Sequence, residues 1–173
     1  MSEFFIYLQL GYQHITNLKG FDHILFIIAL CAIYSIIQWK EVLILITAFT
    51  LGHSLTLALA SMGFIHIDSG LIEFLIPITI IITCIINFFY KFQKSLYAQP
   101  KKKKVIRYII ASIFGLVHGL GFSNYLTSLL GKEDSIIKPL FSFNLGLELG
   151  QFLVVIIILL LNFFMLSGFN VRK

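Results

Sequence analysis

Residues 70–107 read GLIEFLIPITIIITCIINFFYKFQKSLYAQPKKKKVIR. The first part, up to Tyr90, is an apolar run long enough to cross a bilayer as a helix, because about 20 such residues span the hydrocarbon core. The second part is a short loop rich in lysine and arginine, and loops of this kind remain on the cytoplasmic side. The stretch therefore predicts both a membrane span and its direction.

Comparable apolar runs lie at about 21–38, 41–62, 105–130 and 138–168. The whole chain is 58% hydrophobic and 12% charged, whereas soluble domains are about half apolar and about a quarter charged. The predicted fold class is all-α, a polytopic membrane helix bundle of about five transmembrane helices in contact with the lipid bilayer. We expect residues 1–173 to form a single integral membrane domain in the cell (inner) membrane.

The N-terminal stretch MSEFFIYLQLGYQ has too few apolar residues to cross a bilayer, so we expect a short interfacial helix there. Alternation from the basic loop at 91–107 then puts the N-terminus outside and the C-terminus in the cytoplasm. The net charge of +5 gathers in that loop and at Arg172 and Lys173. This pattern is a topology signal and does not indicate a nucleic-acid partner.

Several ionisable residues fall inside the predicted spans, where each charge costs about 2.5 kcal/mol or more at the helix centre. They are Asp22, His23, His53, His118 and Glu148. Counted along their helices, all five lie between the outer interface and the midplane, so one buried pocket is expected to collect them. Imidazole and carboxylate ligands without thiolate suit Ni²⁺, Co²⁺, Zn²⁺ or Cu²⁺.

Other polar residues recur on the faces of the same helices and predict a pathway or a second layer of groups around the metal. These are Thr50, Ser54, Glu73, Asn144 and Gln151. Each feature also has a structural interpretation. A single membrane histidine can hydrogen-bond a neighbouring helix, Asp22 can cap a helix, and His66 falls in a predicted outer loop as an ordinary surface residue.

Glycines occur with a spacing of four at Gly115 and Gly119, and again at Gly146 and Gly150. Small residues at this spacing let two membrane helices pack closely, but glycine-rich interruptions also accompany transport sites. Both interpretations remain open. The two segments do not resemble each other enough to establish an internal repeat.

Four motifs resemble those of the HupE/UreJ family of small membrane proteins. They are GYQHITNLKGFDHILF (11–26), ITAFTLGHSLTLALA (46–60), FGLVHGLGFS (114–123) and FNLGLELGQ (143–151). The sequence is most similar to the divergent second branch of that family. The resemblance implies secondary transport of nickel or cobalt. It also implies that His14, Asp22 and His23 correspond to an H-x5-D-H signature, His118 to an HG motif and Glu148 to a late acidic position. Here seven residues separate His14 from Asp22 instead of five.

Three functions follow from these residues. The first is a metal permease with a site made of His14, Asp22, His23, His53, His118 and Glu148. The second is an intramembrane zinc-dependent hydrolase or acyltransferase acting on a lipid or membrane-anchored substrate, in which three histidines and an acid hold the ion and Ser54 or Glu148 assists. The third, a helper that anchors a partner complex, leaves the buried histidines unexplained. A homo-oligomer is compatible with each.

The orientation is open to a direct test. A reporter inserted at Lys101–Lys104 should behave as a cytoplasmic tag, since moving four ammonium groups outward opposes the positive-inside bias. The measurement is the activity of an alkaline phosphatase fusion against a green fluorescent fusion at the same position. Phosphatase activity there would reverse the whole topology.

Overall fold

The apolar runs fold into six α-helices in the computed structural model, which describes residues 2–18, 20–91, 101–130 and 135–170. No strand occurs in those ranges, so the all-α prediction is confirmed. A 3-10 turn at Ile36–Gln38 precedes the third helix. The helices are α1 (Glu3–Thr16), α2 (Asp22–Cys31), α3 (Trp39–Ser61), α4 (Ser69–Lys91), α5 (Lys101–Leu130) and α6 (Ile137–Asn170).

Four helical segments are long and apolar enough to cross a membrane: Ile36–Ser61, Ser69–Phe89, Lys104–Leu130 and Ile137–Phe164. They correspond to four of the five predicted spans, and the chain is a multi-pass membrane protein. An ion pair between Lys104 and Glu41 joins α5 to α3 at one end of the bundle. We call this the basic end, since Arg107 also lies there, and the end near Ser69 the opposite end.

The predicted span at 21–38 differs from the structure. Its helix, α2, ends at Cys31 and has 10 residues, or about 15 Å of rise, which is half of a bilayer core. The chain then restarts at Ser35, whose side chain caps the 3-10 turn while the Gln38 side chain accepts a hydrogen bond from the Ser35 N–H. The uniform hydrophobicity of 21–38 conceals this interruption.

Helix α2 runs toward the basic end, opposite to α3. The ring centroids of His23 and His53 are 5.7 Å apart, and those of Phe26 and Phe49, which lie nearer the basic end, are 4.7 Å apart. At the far end of α2, the Asn87 side chain donates a hydrogen bond to the carbonyl of Ala29.

Helix α1 packs along α6 and runs in the same direction as α6. Leu8 and Tyr12 approach Gly146, and Tyr12 and Ile15 approach the next small residue, Gly150. Helix α6 itself runs toward the basic end, because Phe143 stacks on Phe122 while Gln151 reaches Thr50, beyond His53. The N-terminal helix is therefore packed on the bundle, and its depth in the bilayer stays a prediction.

Helices α1 and α2 follow one another in the same direction and are separated by a break between Thr16 and Asp22. Discontinuous helices of this kind are typical of ion sites in transporters. The four long spans are roughly consistent with the predicted count of about five.

The closest helix contacts in the bundle form where glycines remove the side chain from the interface. A Cβ atom at Gly115 would collide with the backbone oxygen of Phe49, and one at Gly119 would collide with that of His53. Gly52 faces α5 in the same way from the other helix. The backbones of α3 and α5 are therefore in direct contact, and His53 lies at this contact.

The same arrangement holds α1 against α6. A Cβ atom at Gly11 would collide with the backbone oxygen of Phe143, and one at Gly146 would collide with that of Leu8. Gly150 contacts α1 one turn later. The packing interpretation of both small-xxx-small motifs is confirmed.

Each helix pair thus combines one glycine from a first helix with two glycines four residues apart on a second, parallel helix. The α1–α6 pair runs toward the basic end and the α3–α5 pair runs away from it. The two pairs therefore run in opposite directions through the bundle, which the sequence alone did not establish.

Replacing Gly115 by alanine should lower the stability of the protein, because its Cβ meets backbone that cannot move aside. Overpacking of this kind costs about 1–3 kcal/mol. The measurement is the midpoint of thermal unfolding in detergent. The matched control on the same helix is Gly121→Ala, whose Cβ would meet the flexible end of Ile76 at 3.1 Å. Equal midpoints for the two variants would contradict the proposed contact.

Candidate metal centre

Three histidines from three helices meet beside the break between α1 and α2. His14 lies in the last turn of α1 and His23 is the second residue of α2. His53 lies midway along α3. Each histidine offers one ring nitrogen to the group, and these three nitrogens all lie within 4.8 Å of one another.

This spacing is close to that of a metal site. Imidazole nitrogens bind Zn²⁺ at about 2.0–2.1 Å, so two ligands of one tetrahedral ion are about 3.4 Å apart. The three nitrogens lie at most 4.8 Å apart, so they need to close by up to about 1.4 Å. Side-chain rotation is enough for such a movement.

Several ring nitrogens of these histidines are buried and have no hydrogen-bond partner among the described residues. His23 is 6% exposed and His53 is fully buried. Within the described part of the chain, no partner reaches Nε2 of His14, Nε2 of His23 or either ring nitrogen of His53. An unsatisfied buried polar atom costs about 1–3 kcal/mol. A bound cation would satisfy several of these nitrogens at once.

His118 lies beside this group on α5. Its ring centroid is 5.1 Å from that of His23, and the residue is 1% exposed. Its Nε2 lies 2.9 Å from the hydroxyl of Thr79 on α4, while Nδ1 contacts no polar partner among the described residues. His23, His53 and His118 are therefore buried, His14 is half-buried, and the four rings come from four helices.

Aromatic rings close the histidine cluster on the side of the basic end. The centroids of Phe26 and Phe49 lie 5.0 and 5.2 Å from that of His118, and both residues are fully buried. We call these two residues the aromatic floor. They share helix faces with the histidines, since Phe26 follows His23 by three residues and Phe49 precedes His53 by four. The aromatic floor was not among the predicted site residues, although this spacing is visible in the sequence.

On the other side the cluster opens into a cavity of about 450 Å³. Its lining includes Glu73 and Tyr125, which lie closer to the opposite end than the histidines do. The polar lining is completed by the carboxylate of Asp22 and the side chains of Gln13 and Asn17. The cavity therefore connects the histidines with the opposite end and has an acidic wall.

Glu148 does not join this group. Its carboxylate accepts a hydrogen bond of 3.0 Å from Thr47, and the residue neither lines the cavity nor belongs to the cluster of three histidines. It lies instead in a second polar patch between α3 and α6, where Thr50 donates to Gln151 at 2.6 Å. Counting residues along a helix estimated the depth of Glu148 but did not fix the direction in which it faces.

Some of the other predicted pathway residues line the cavity and some do not. Glu73 lines the cavity, whereas Gln151 is fully buried in the α3–α6 patch. The Asn144 side-chain oxygen is buried without a partner in the described residues, and Ser54 is half-buried. Neither Asn144 nor Ser54 lines the cavity.

The unusual spacing between His14 and Asp22 does not separate the histidines. The connection between α1 and α2 takes up the intervening residues outside helical geometry, and the ring centroids of His14 and His23 lie 4.6 Å apart. His14 therefore stands in the cluster although it lies on a different helix from His23.

The sequence model of the HupE/UreJ protein family matches residues 1–172. The chain belongs to the HupE/UreJ family. No curated protein and no solved structure matches it. The motifs that carried the resemblance contain each histidine of the cluster. In this HupE/UreJ protein the four histidines come from four different helices, so only folding brings them together.

Metal binding is testable on the purified protein. His53→Ala should abolish the rise in unfolding temperature that Ni²⁺ or Co²⁺ produces in the wild type, because a ligand at about 100 times its Kd adds roughly 2.7 kcal/mol of stability. His66→Ala is the control, since His66 is exposed in the loop before α4. The readouts are the thermal shift and the metal content. An equal shift in both variants would exclude His53 from the site.

Proposed function

We propose that this protein is a permease for a divalent transition metal of the nickel or cobalt type, with its binding site at the break between α1 and α2. The observation that carries the proposal is the set of three imidazoles, two buried and one half-buried, with nitrogens within 4.8 Å of one another. Membership of the HupE/UreJ family supports the same conclusion.

The donor set favours borderline metals. Imidazole binds Ni²⁺, Co²⁺, Cu²⁺ and Zn²⁺, whereas Ca²⁺ and Mg²⁺ prefer oxygen ligands. Asp22 and Glu73 give the cavity wall the negative charge that attracts a cation. The C-terminal end of α1 faces the same break, and helix C-termini carry partial negative charge. His14, Asp22, His23, His53 and His118 are the proposed site residues.

The position of the site between the two helix pairs supports alternating access. His14 belongs to the α1–α6 pair, while His53 and His118 belong to the α3–α5 pair. A rocking movement of one pair against the other would separate these ligands and release the ion. Inverted-topology units that rock around a central site are a common transporter design.

A path for release lies beyond the aromatic floor. A smaller cavity near the basic end is lined by Thr83, Asn87, Arg107 and Phe114. The Phe114 ring also contacts Phe26 of the floor, with centroids 6.1 Å apart. Movement of the floor would therefore join the two cavities. Glu148 and Gln151 lie off this path, and a role for them in binding stays a prediction.

The orientation of the bundle gives the direction of entry. If the basic loop is cytoplasmic, the large cavity faces the outside of the cell (inner) membrane and the smaller one faces the cytoplasm. The metal would then enter beside Asp22 and Glu73. The choice between nickel and cobalt and the assembly into a homo-oligomer remain predictions.

A zinc-dependent intramembrane hydrolase is the second candidate. Three imidazoles, two of which line the cavity of about 450 Å³, also make up the donor set of hydrolytic zinc sites. In that case Asp22, which lines the cavity, would be better placed than Glu148 to move a proton.

Flux measurements distinguish the two functions. Proteoliposomes with wild-type protein should take up Ni²⁺ or Co²⁺, excess Mg²⁺ should not compete, and His53→Ala should reduce uptake to the level of empty vesicles. The His66→Ala variant should transport like the wild type because its side chain lies outside the bundle. Uptake is followed with a metal-quenched dye trapped inside the vesicles.

Wild-type protein that retains one ion per chain and produces no flux in either direction would contradict the permease. Hydrolysis of a lipid or acyl-peptide substrate by the same sample, lost in Asp22→Asn with the metal still bound, would establish the enzyme instead.

A further inference from the structure

The hydroxyl of Thr79 has two close polar neighbours. It donates a hydrogen bond of 2.7 Å to the backbone carbonyl of Ile76, and it lies 2.9 Å from Nε2 of His118. Thr79 is 4% exposed and His118 is 1% exposed, so water does not compete for either contact.

A threonine hydroxyl has one proton to donate, and a carbonyl oxygen can only accept. Both contacts are therefore satisfied together only if the hydroxyl donates to Ile76 and accepts from His118. Nε2 of His118 then carries a proton. In a neutral imidazole the lone pair must be on the other nitrogen, Nδ1.

Nδ1 of His118 is the ring atom that has no hydrogen-bond partner among the described residues. Its ring stands 5.1 Å from that of His23, which belongs to the group of three histidines. A metal-binding histidine commonly donates its other N–H to an acceptor that fixes the tautomer and the orientation of the ring.

We propose that Thr79 is a positioning residue, which holds His118 in the Nε2–H form and so keeps Nδ1 as the fourth imidazole ligand of the metal. The proposal rests on the proposed metal site and not on transport. Because Thr79 is the residue on α4 that contacts the cluster through a hydrogen bond, it would also make the site sensitive to the position of α4.

The chain offers a matched control one turn further along α4. Thr83 is equally buried at 4% exposure, and its hydroxyl donates to the carbonyl of Thr79 without touching a histidine. Thr79→Val and Thr83→Val therefore remove the same hydroxyl from the same helix, while only the first removes the acceptor for His118.

The experiment uses Co²⁺ and the full-length protein in detergent. Thr79→Val should weaken Co²⁺ affinity by about 10–100-fold, the usual effect of losing such a partner. Its Co²⁺ absorption spectrum should also change, since the ion loses or reorients one imidazole. Thr83→Val and Thr79→Ser should match the wild type in both measurements, because serine keeps the acceptor oxygen.

A double-mutant cycle tests whether Thr79 acts through His118. In a His118→Ala background, Thr79→Val should produce no further loss of affinity. An equal effect of Thr79→Val with and without His118, or equal spectra for Thr79→Val and Thr83→Val, would overturn the proposal. Tight Co²⁺ binding without flux would contradict the permease and leave the role of Thr79 standing, whereas a wild type that binds no Co²⁺ would overturn both.

Discussion

The contact of helix backbones at glycine determines most of this structure. Apolar side chains do not drive helices together in lipid as they do in water, so close van der Waals contact must supply the association. Gly52, Gly115 and Gly119 bring α3 and α5 together, and Gly11 and Gly146 do the same for α1 and α6. His14, His53 and His118 lie within a turn of these contacts, so the approach of the helices also fixes the positions of these three rings.

The cluster is stable only as part of this packing. Burying His23, His53 and His118, with several ring nitrogens unpaired in the described residues, opposes folding. The surrounding phenylalanines and the glycine contacts must offset this cost before any ion binds. A divalent cation lowers this free-energy cost, because it coordinates several of the unpaired nitrogens together.

The break between α1 and α2 also determines how closely His14 approaches His23. Were residues 1–31 a continuous helix, His14 and His23 would be separated by more than two helical turns, or about 13 Å along the axis. The break lets the chain return, and their centroids lie 4.6 Å apart. It also presents the C-terminal end of α1 to the cavity, where its carbonyls favour a cation. Asn17 and Gly20 of the break line the cavity, a setting in which irregular backbone is tolerated in membrane proteins.

The sequence by itself determined the helical class, the four long spans and the residues with the chemistry to bind a metal. Hydrophobic run length and the cost of burying a charge are local properties, so they can be read without coordinates. It did not determine where α2 ends, since Cys31 and Ser35 lie within one apolar run and only the cap at Ser35 marks the restart. Nor did it determine which way a polar group faces. Glu148 and His53 have similar depths by counting, yet only His53 joins the cluster, because the rotation of each helix is set by its glycine contacts with a neighbour distant in the chain.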